Sequence, residues 1–397
     1  RARRSSDLLS AQAVAGRLLR PVMFSRVLAD TSNQLFNPFL GAIAIGLGLT
    51  VPQLGLLLGL RSLSGLTGPL LGSVGDRWGA LRVAKVGIVL MATGLLLLAL
   101  SRGLHLTLLA MVAMGVALGV INPALQAHVG AVVEFRRRAK VLSVIEYSWA
   151  LAGIIGLAAC GWSIAVIGWR ATVALVAALL LSSLLGLNRL APAPADGAVV
   201  LRAQRARLTP AAKLGALAVA LLFFSMFNVT IVHGVWLTDA FGLGPEALGL
   251  VSLALGIADL AGAASVSLIS GRVSVGVLAS TSAVAGAVVY LGLGFAAGSL
   301  AAALSMLAAT RALMQVGFVS MLTLLSEVSP TNRALVMTSA AAAGQVGMAA
   351  AAIMGPWSYA TLGLTTLGAV SGTSLIGATV VIQAFDRRFR RERGVLA

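Results

Sequence analysis

The sequence predicts an all-α integral membrane protein with twelve transmembrane helices, arranged as two pseudo-symmetric six-helix bundles. Three observations lead to this prediction. The composition is 59% hydrophobic and only 10% charged, with a mean hydropathy of +0.98, whereas soluble domains carry roughly 25% charged residues. Twelve long apolar stretches follow one another along 397 residues. Short features of the first half also recur in the second half at a nearly constant separation.

The apolar stretches set the number of membrane crossings. A transmembrane helix needs ~20 mostly apolar residues, because its backbone polar groups must be satisfied within the segment. Twelve stretches meet this requirement. Their predicted bounds are 21–47, 53–74, 82–101, 104–128, 140–160, 168–188, 213–239, 246–270, 274–296, 299–325, 333–355 and 362–385.

Basic residues give the orientation, since Lys and Arg near segment ends stay in the cytoplasm. With both termini cytoplasmic, only Arg102 and Arg170 fall on the opposite side. We therefore expect a multi-pass protein of the bacterial cytoplasmic (inner) membrane. This asymmetry accounts for most of the net charge of +17, so no nucleic-acid partner is needed. The basic face is suited to anionic lipids.

The chain divides at its one long polar connection. We predict a cytoplasmic N-terminal segment (1–20), a six-helix bundle (21–188), a cytoplasmic linker (189–212), a second six-helix bundle (213–385) and a basic cytoplasmic tail (386–397). Arg77 and Arg272 are 195 positions apart, and so are Arg138 and Arg333. Several matches at one offset indicate a duplicated six-helix unit, with chance similarity between apolar segments as the alternative.

A glycine-rich loop follows the second segment and carries the most specific motif. It reads Gly-Ser-Val-Gly-Asp-Arg-Trp-Gly, and its key positions are Gly72, Asp76, Arg77, Gly79 and the following base Arg82. The motif, the two halves and the twelve segments together resemble the major facilitator superfamily, whose members are secondary transporters. The resemblance covers residues 20–386, and bacterial efflux-type members are the most similar. Ala80 and Leu81 stand where that family usually has basic residues.

The resemblance implies a conformational latch at Gly72, Asp76, Arg77, Gly79 and Arg82. Glycines let the chain turn tightly, and an acid can accept from amides at a helix N-terminus. Such a cluster would hold one conformation of the two halves during alternating access. The alternative is a solvated turn carrying positive-inside charges.

Polar residues inside the segments are the candidates for a substrate and proton cavity, because each buried charge costs at least ~2.5–3.5 kcal/mol at a helix centre. In the first segment, polar residues recur every three or four positions and predict a stripe facing the cavity. Asn37-Pro38 predicts a kink there. The candidates are Asp30, Asn33, Gln34, Asn37, Arg61, Glu146, Asn228, Asp259, Arg311 and Gln315.

Similar depth in the membrane predicts two ion pairs, Asp30–Arg61 and Asp259–Arg311. These pairs act either in the cavity or as structural struts between helices. Glu146 either faces the cavity or pairs with the basic loop before it. His233 is interpreted as a water-facing or hydrogen-bonded histidine.

Two classes of function fit these features. The first is a secondary active transporter that moves a small organic or amphiphilic molecule by alternating access, as proton-coupled efflux. The second is a non-transporting subunit or assembly factor of the same fold, which binds lipid, pigment or protein partners. Nucleotide-binding and hydrolase motifs are absent from the sequence, so we expect no enzyme activity and no cofactor. One cysteine, Cys160, and no His/Cys cluster predict no metal site. We expect a monomer.

Overall fold

The computed structural model describes residues 2–68, 78–191, 208–329 and 332–392, and these ranges contain thirteen α-helices. The helices are α1 (Ala2–Gln34), α2 (Phe36–Leu47), α3 (Val51–Ser64), α4 (Ala80–Leu100), α5 (Leu104–Val132), α6 (Phe135–Leu151), α7 (Leu157–Leu187), α8 (Pro210–Thr230), α9 (His233–Phe241), α10 (Pro245–Ile269), α11 (Val275–Leu291), α12 (Leu300–Val328) and α13 (Arg333–Glu392). A π-helical turn, Ala152–Gly156, joins α6 to α7.

Every regular element in these ranges is helical, so the all-α prediction is confirmed. Among the described residues, seven helices are long and apolar enough to cross a membrane, or eight if α2 and α3, bent by 117°, count as one span. Two of the seven run for 44 and 58 residues, more than twice the ~20 that one crossing needs. The count of twelve crossings stays a prediction.

Both of these long runs are interrupted at a glycine. Gly168 has φ 80° and ψ 161°, and Gly363 has φ 80° and ψ −178°. This region of backbone space is essentially accessible to glycine only. The two residues are 195 positions apart, the same separation that indicated a duplication. They lie at the predicted starts of the sixth and twelfth segments.

Two further helix breaks also occupy corresponding positions in the two halves. Leu35 separates α1 from α2, and Ile231–Val232 separates α8 from α9. The kink predicted at Asn37-Pro38 is present nearby, because Phe39 leaves helical geometry at φ −108° and ψ 15°. Breaks of this kind release backbone carbonyls from the helical ladder.

The helices pack into two compact units. The first unit contains Arg1–Leu35 and Ser64–Leu201. In it α4 packs along α5 and α7, and Gly119 approaches the backbone of Gly65 and Gly68 so closely that a Cβ there would overlap it.

The second unit contains Phe36–Leu63 and Arg202–Ala397. Its most extensive helix–helix packing is between α8 and α13. There, Gly347 lies against the backbone of Ala220. Small residues allow such close approach between membrane helices. The predicted division of the sequence into six-helix bundles at 21–188 and 213–385 stays a prediction.

Candidate functional site

The first unit contains a buried polar cluster between α1 and α6. Arg26 and Asp30 lie one turn apart on α1, with Arg26 Nε 3.8 Å from Asp30 Oδ2. Ser148 of α6 connects them, since its hydroxyl donates to Asp30 Oδ2 at 2.6 Å and accepts from Arg26 Nε at 3.3 Å. The side chains of Arg26 and Asp30 are only 4% and 2% exposed. Each charge is thus met by an opposite charge and a hydroxyl.

Glu146 extends this cluster toward the surface of the unit. Its Oε1 lies 3.5 Å from Arg26 Nη2, and its side chain is 57% exposed. Gln126 of α5 donates to the same oxygen at 2.7 Å. Glu146 therefore pairs with the buried Arg26 of α1, which is a different partner from the loop arginines that the sequence suggested.

The π-helical turn lies next to this cluster. Gln34 Nε2 donates to the Trp149 carbonyl at 2.9 Å, just before the turn begins at Ala152. Thr31 packs against Gly156, where an added Cβ would lie 3.0 Å from the Thr31 Cβ. Single π turns inside α-helices are frequent at functional sites. Gln34 thus contacts the helix at the point where its hydrogen-bond register changes.

The second unit contains a charge cluster between α10 and α12. Arg311 Nη2 donates to Asp259 Oδ2, and both side chains are buried, at 11% and 7% exposure. Arg311 Nη1 also donates to the hydroxyl of Thr230 at 3.4 Å. Thr230 is the last residue of α8. The Asp259–Arg311 pair predicted from membrane depth is therefore present. Through Thr230, Arg311 also contacts the end of α8 at the α8–α9 break.

His233 and Asn228 lie on either side of this break. His233 is 3% exposed, and its Nδ1 is 2.5 Å from the Thr230 carbonyl oxygen, so it is hydrogen-bonded and not water-facing. Asn228 is fully buried and donates to the Ser371 hydroxyl of α13 at 3.0 Å. Asn228 thus ties α8 to α13.

The remaining candidates are distributed around these clusters. Arg61 is buried at 6% exposure, and its guanidinium carbon lies 4.8 Å from the centre of the Phe36 ring, in a cation–π contact. Within the first unit, the salt-bridge partner of Asp30 is Arg26 on the next turn of its own helix. Arg61 belongs to the second unit, and the expected Asp30–Arg61 pair stays a prediction. Asn33, Asn37 and Gln315 are half-buried.

The predicted latch falls largely outside the described residues, which exclude Gly72, Asp76 and Arg77. Gly79 has φ 84° and precedes the first residue of α4. Arg82 is exposed in the first turn of that helix. The latch therefore stays a prediction.

Sequence reasoning missed Gln126, Ser148 and Thr230 as site residues. Each is an uncharged polar residue in a helix, and such residues occur often without any function. Their one recognisable signal is the spatial neighbour, an intramembrane charge that requires hydrogen-bond partners. Among the described residues, no group of three or more His, Cys, Asp or Glu side chains could hold a metal ion.

Comparison with known families and proteins gives consistent results. The family model of the Major Facilitator Superfamily matches residues 22–299. An uncharacterized MFS-type transporter of Bacillus subtilis (strain 168), YwfA, is 28% identical over 145 residues, which are 36% of this chain. This match spans only 35% of the length of that relative.

Solved structures match over nearly the whole chain. A D-xylose–proton symporter has a TM-score of 0.75 at 15% identity, covering 93% of this chain and 97% of its own. A bacterial homolog of the human lysosomal transporter Spinster, inward-facing and occupied, has a TM-score of 0.70 at 16% identity, covering 94% and 96%. A bacterial homologue of the iron transporter ferroportin has a TM-score of 0.67 at 16% identity, covering 93% and 98%. At these identities the likeness establishes the fold.

Proposed function

The chain belongs to the Major Facilitator Superfamily, and from that premise we propose that it is a secondary active transporter driven by protons. It moves a small organic or amphiphilic molecule out of the cell by alternating access, in which a central site opens to one side of the membrane at a time. Proton and substrate are bound at different steps of this cycle.

The charge balance of the first cluster carries this proposal. Arg26 contributes one positive charge, and Asp30 and Glu146 contribute two negative charges, which leaves one uncompensated negative charge. The charge of the buried Asp30 is costly inside a membrane segment, whereas the Glu146 side chain is 57% exposed and accessible to a proton. A proton would neutralise the excess charge, and its binding and release would accompany the change between the two open states of the transporter.

The second cluster supports a different role for its unit. Asp259 and Arg311 compensate each other, so this pair of residues carries no excess charge for a proton. We assign Asp259, Arg311 and Asn228 to substrate positioning. Asp30 and Glu146 are assigned to proton binding, with Ser148 and Gln126 orienting their carboxylates.

The proton step can be measured without knowing the substrate. Purified protein is reconstituted in liposomes that contain the pH-sensitive dye pyranine, and a library of amphiphilic compounds is added outside. A transported compound should release or consume lumenal protons in the native protein, and Asp30→Asn and Glu146→Gln should abolish this signal. Glu246→Gln is the matched control, because Glu246 is an exposed carboxylate in the first turn of α10. A compound that accumulates with no proton signal would contradict proton coupling.

A second experiment separates a transporter from a non-transporting subunit. Alanine at Asp30, Arg61, Asp259 or Arg311 should remove flux in protein that still elutes as a folded species. A subunit or assembly factor would instead lose only stability or association with its partners.

The basic residues support a cytoplasmic location for both termini in the bacterial inner membrane. Exposed arginines at the end of α13, including Arg387 and Arg390, suit anionic lipid headgroups. We propose a monomer as the working form. Native mass spectrometry from anionic and zwitterionic nanodiscs would measure both the mass of the complex and the retained lipids.

A further inference from the structure

Three buried nitrogen atoms belong to residues that lie in α9 or contact Thr230 at the α8–α9 break of the second unit. They are Arg311 Nε, His233 Nε2 and Trp236 Nε1, and none has a hydrogen-bond partner among the described residues. His233 and Trp236 are only 3% and 2% exposed. Buried polar atoms are rarely left unsatisfied in native proteins, because their desolvation is costly. Three such atoms around one helix break therefore indicate a place where another molecule binds.

The hydrogen bond on the opposite side of the imidazole determines the role of His233 Nε2. Nδ1 is 2.5 Å from the Thr230 carbonyl oxygen, which can only accept, so Nδ1 carries the hydrogen. A neutral imidazole carries one hydrogen, and its other nitrogen is then an acceptor. His233 Nε2 is consequently a buried acceptor.

The other two atoms are donors. Arg311 uses Nη2 for Asp259 and Nη1 for Thr230, which leaves its Nε–H. Trp236 offers only its indole N–H. Trp236 follows His233 by three residues within α9, so the two side chains lie on the same face of that helix. Thr230 connects the set, because its hydroxyl accepts from Arg311 and its carbonyl accepts from His233.

The surrounding charges favour an uncharged ligand. Asp259 compensates Arg311, and α2, which packs against α9, has no ionisable side chain between Phe36 and Leu47. A carboxylate has no hydrogen to donate to His233 Nε2, and an ammonium group would face two N–H donors. A hydroxyl group both donates and accepts, so it can satisfy the acceptor and a donor at once.

We propose that His233 Nε2, Arg311 Nε and Trp236 Nε1 form a subsite that binds hydroxyl groups of an uncharged substrate. This subsite rests on the proposed transport function and specifies the substrate class. The excess charge of the first cluster is then left to the proton, and the second unit recognises the substrate by hydrogen bonds to its uncharged groups.

The tautomer is tested first. The protein has three histidines, so a sample labelled with ¹⁵N-histidine gives few imidazole signals, and His233→Gln identifies the signal of interest. We expect hydrogen on Nδ1 and none on Nε2. A hydrogen on Nε2 would overturn the assignment.

Ligand class is tested by thermal shift on the full chain in detergent. The probes are hydroxylated compounds (monosaccharides, polyols, alkyl glucosides and phenols), each with its O-methyl ether, beside carboxylates and quaternary ammonium compounds. We expect a hydroxylated compound to raise Tm more than its ether does. His233→Phe should weaken its binding about tenfold, as expected for one lost hydrogen bond. His233→Gln, which keeps an acceptor, should retain most of the affinity.

The outcomes separate this subsite from the transport function itself. Equal binding of alcohol and ether, or binding unaffected by His233→Phe, overturns the subsite. If only charged compounds bind and also move protons in liposomes, transport stands and the subsite is rejected. If no compound of any class binds or moves protons, both are rejected.

Discussion

The hydroxyl of Ser148 on α6 donates to Asp30 Oδ2 on α1 at 2.6 Å, and both residues are buried. The same hydroxyl accepts from Arg26 Nε at 3.3 Å. One serine therefore lies between an acid and a base whose own atoms are 3.8 Å apart. Charge-assisted hydrogen bonds of this kind are stronger than neutral ones, so Ser148 fixes both the carboxylate and the angle between two helices.

Ser148→Ala should destabilise the protein and reduce proton-coupled flux. The change removes both bonds and leaves the Asp30 carboxylate short of a donor, at a cost of ~1–3 kcal/mol. Thermal unfolding in detergent and the pyranine signal measure the two effects. Ser182→Ala is the control, because that exposed hydroxyl bonds only to the Leu179 carbonyl of its own helix. Equal Tm values for both variants and the native protein would show that the two Ser148 hydrogen bonds contribute nothing to stability.

Arg311→Ala should be more damaging than loss of the whole Asp259–Arg311 pair. Removing one partner leaves a buried charge uncompensated, which costs ~3–5 kcal/mol, whereas well-packed apolar replacements of both partners are often neutral. We expect Asp259→Leu with Arg311→Met to restore Tm and to leave transport abolished. Arg390→Ala is the control, since the Arg390–Asp386 pair is partly exposed and is worth ~0–1 kcal/mol. Recovered transport in the double variant would make the pair a structural strut.

Gly347→Ala should disrupt the contact between α8 and α13. A Cβ at Gly347 would lie 2.9 Å from the carbonyl carbon of Ala220 and 3.1 Å from its Cα. The obstacle is backbone, so the helices must separate. Gly377 lies on the same helix with nothing within 4 Å of an added Cβ, and Gly377→Ala should be neutral or stabilising by up to ~1 kcal/mol. Similar Tm changes for the two variants would contradict this packing.

The sequence predicted the helical class and the segment ends more reliably than the contacts within the site. Hydrophobic stretches of ~20 residues determine membrane helices almost alone, because a helix satisfies all of its backbone groups within one segment in lipid. The predicted start of the sixth segment at residue 168 therefore coincides with the break at Gly168. The depth argument also paired Asp259 with Arg311 correctly.

The same depth argument did not consider the arginine on the next turn of the helix that carries Asp30. Depth restricts a residue to a layer of the membrane, and it does not state which helix faces which. Arg26 lies one turn away from Asp30 and pairs with it, whereas the pairing of Asp30 with Arg61, which contacts the Phe36 ring, stays a prediction. Ser148, Gln126 and Thr230 carry no charge to mark them, so only their positions in the fold reveal them.

Gly168→Ala and Gly363→Ala should destabilise the protein by similar amounts. Both glycines have φ 80° with an extended ψ, a conformation that costs a residue with a Cβ ~1–3 kcal/mol. At both positions nothing lies within 4 Å of an added Cβ. The loss of stability would therefore come from backbone strain and not from a steric clash. Gly103→Ala is the matched control: Gly103 also has open space, but its φ of 174° is extended and suits any residue. Thermal unfolding of the three variants gives the comparison. If Gly168 and Gly363 tolerate alanine as well as Gly103 does, neither turn requires glycine. The 195-residue spacing of the two breaks would then lose its value as a sign of duplication.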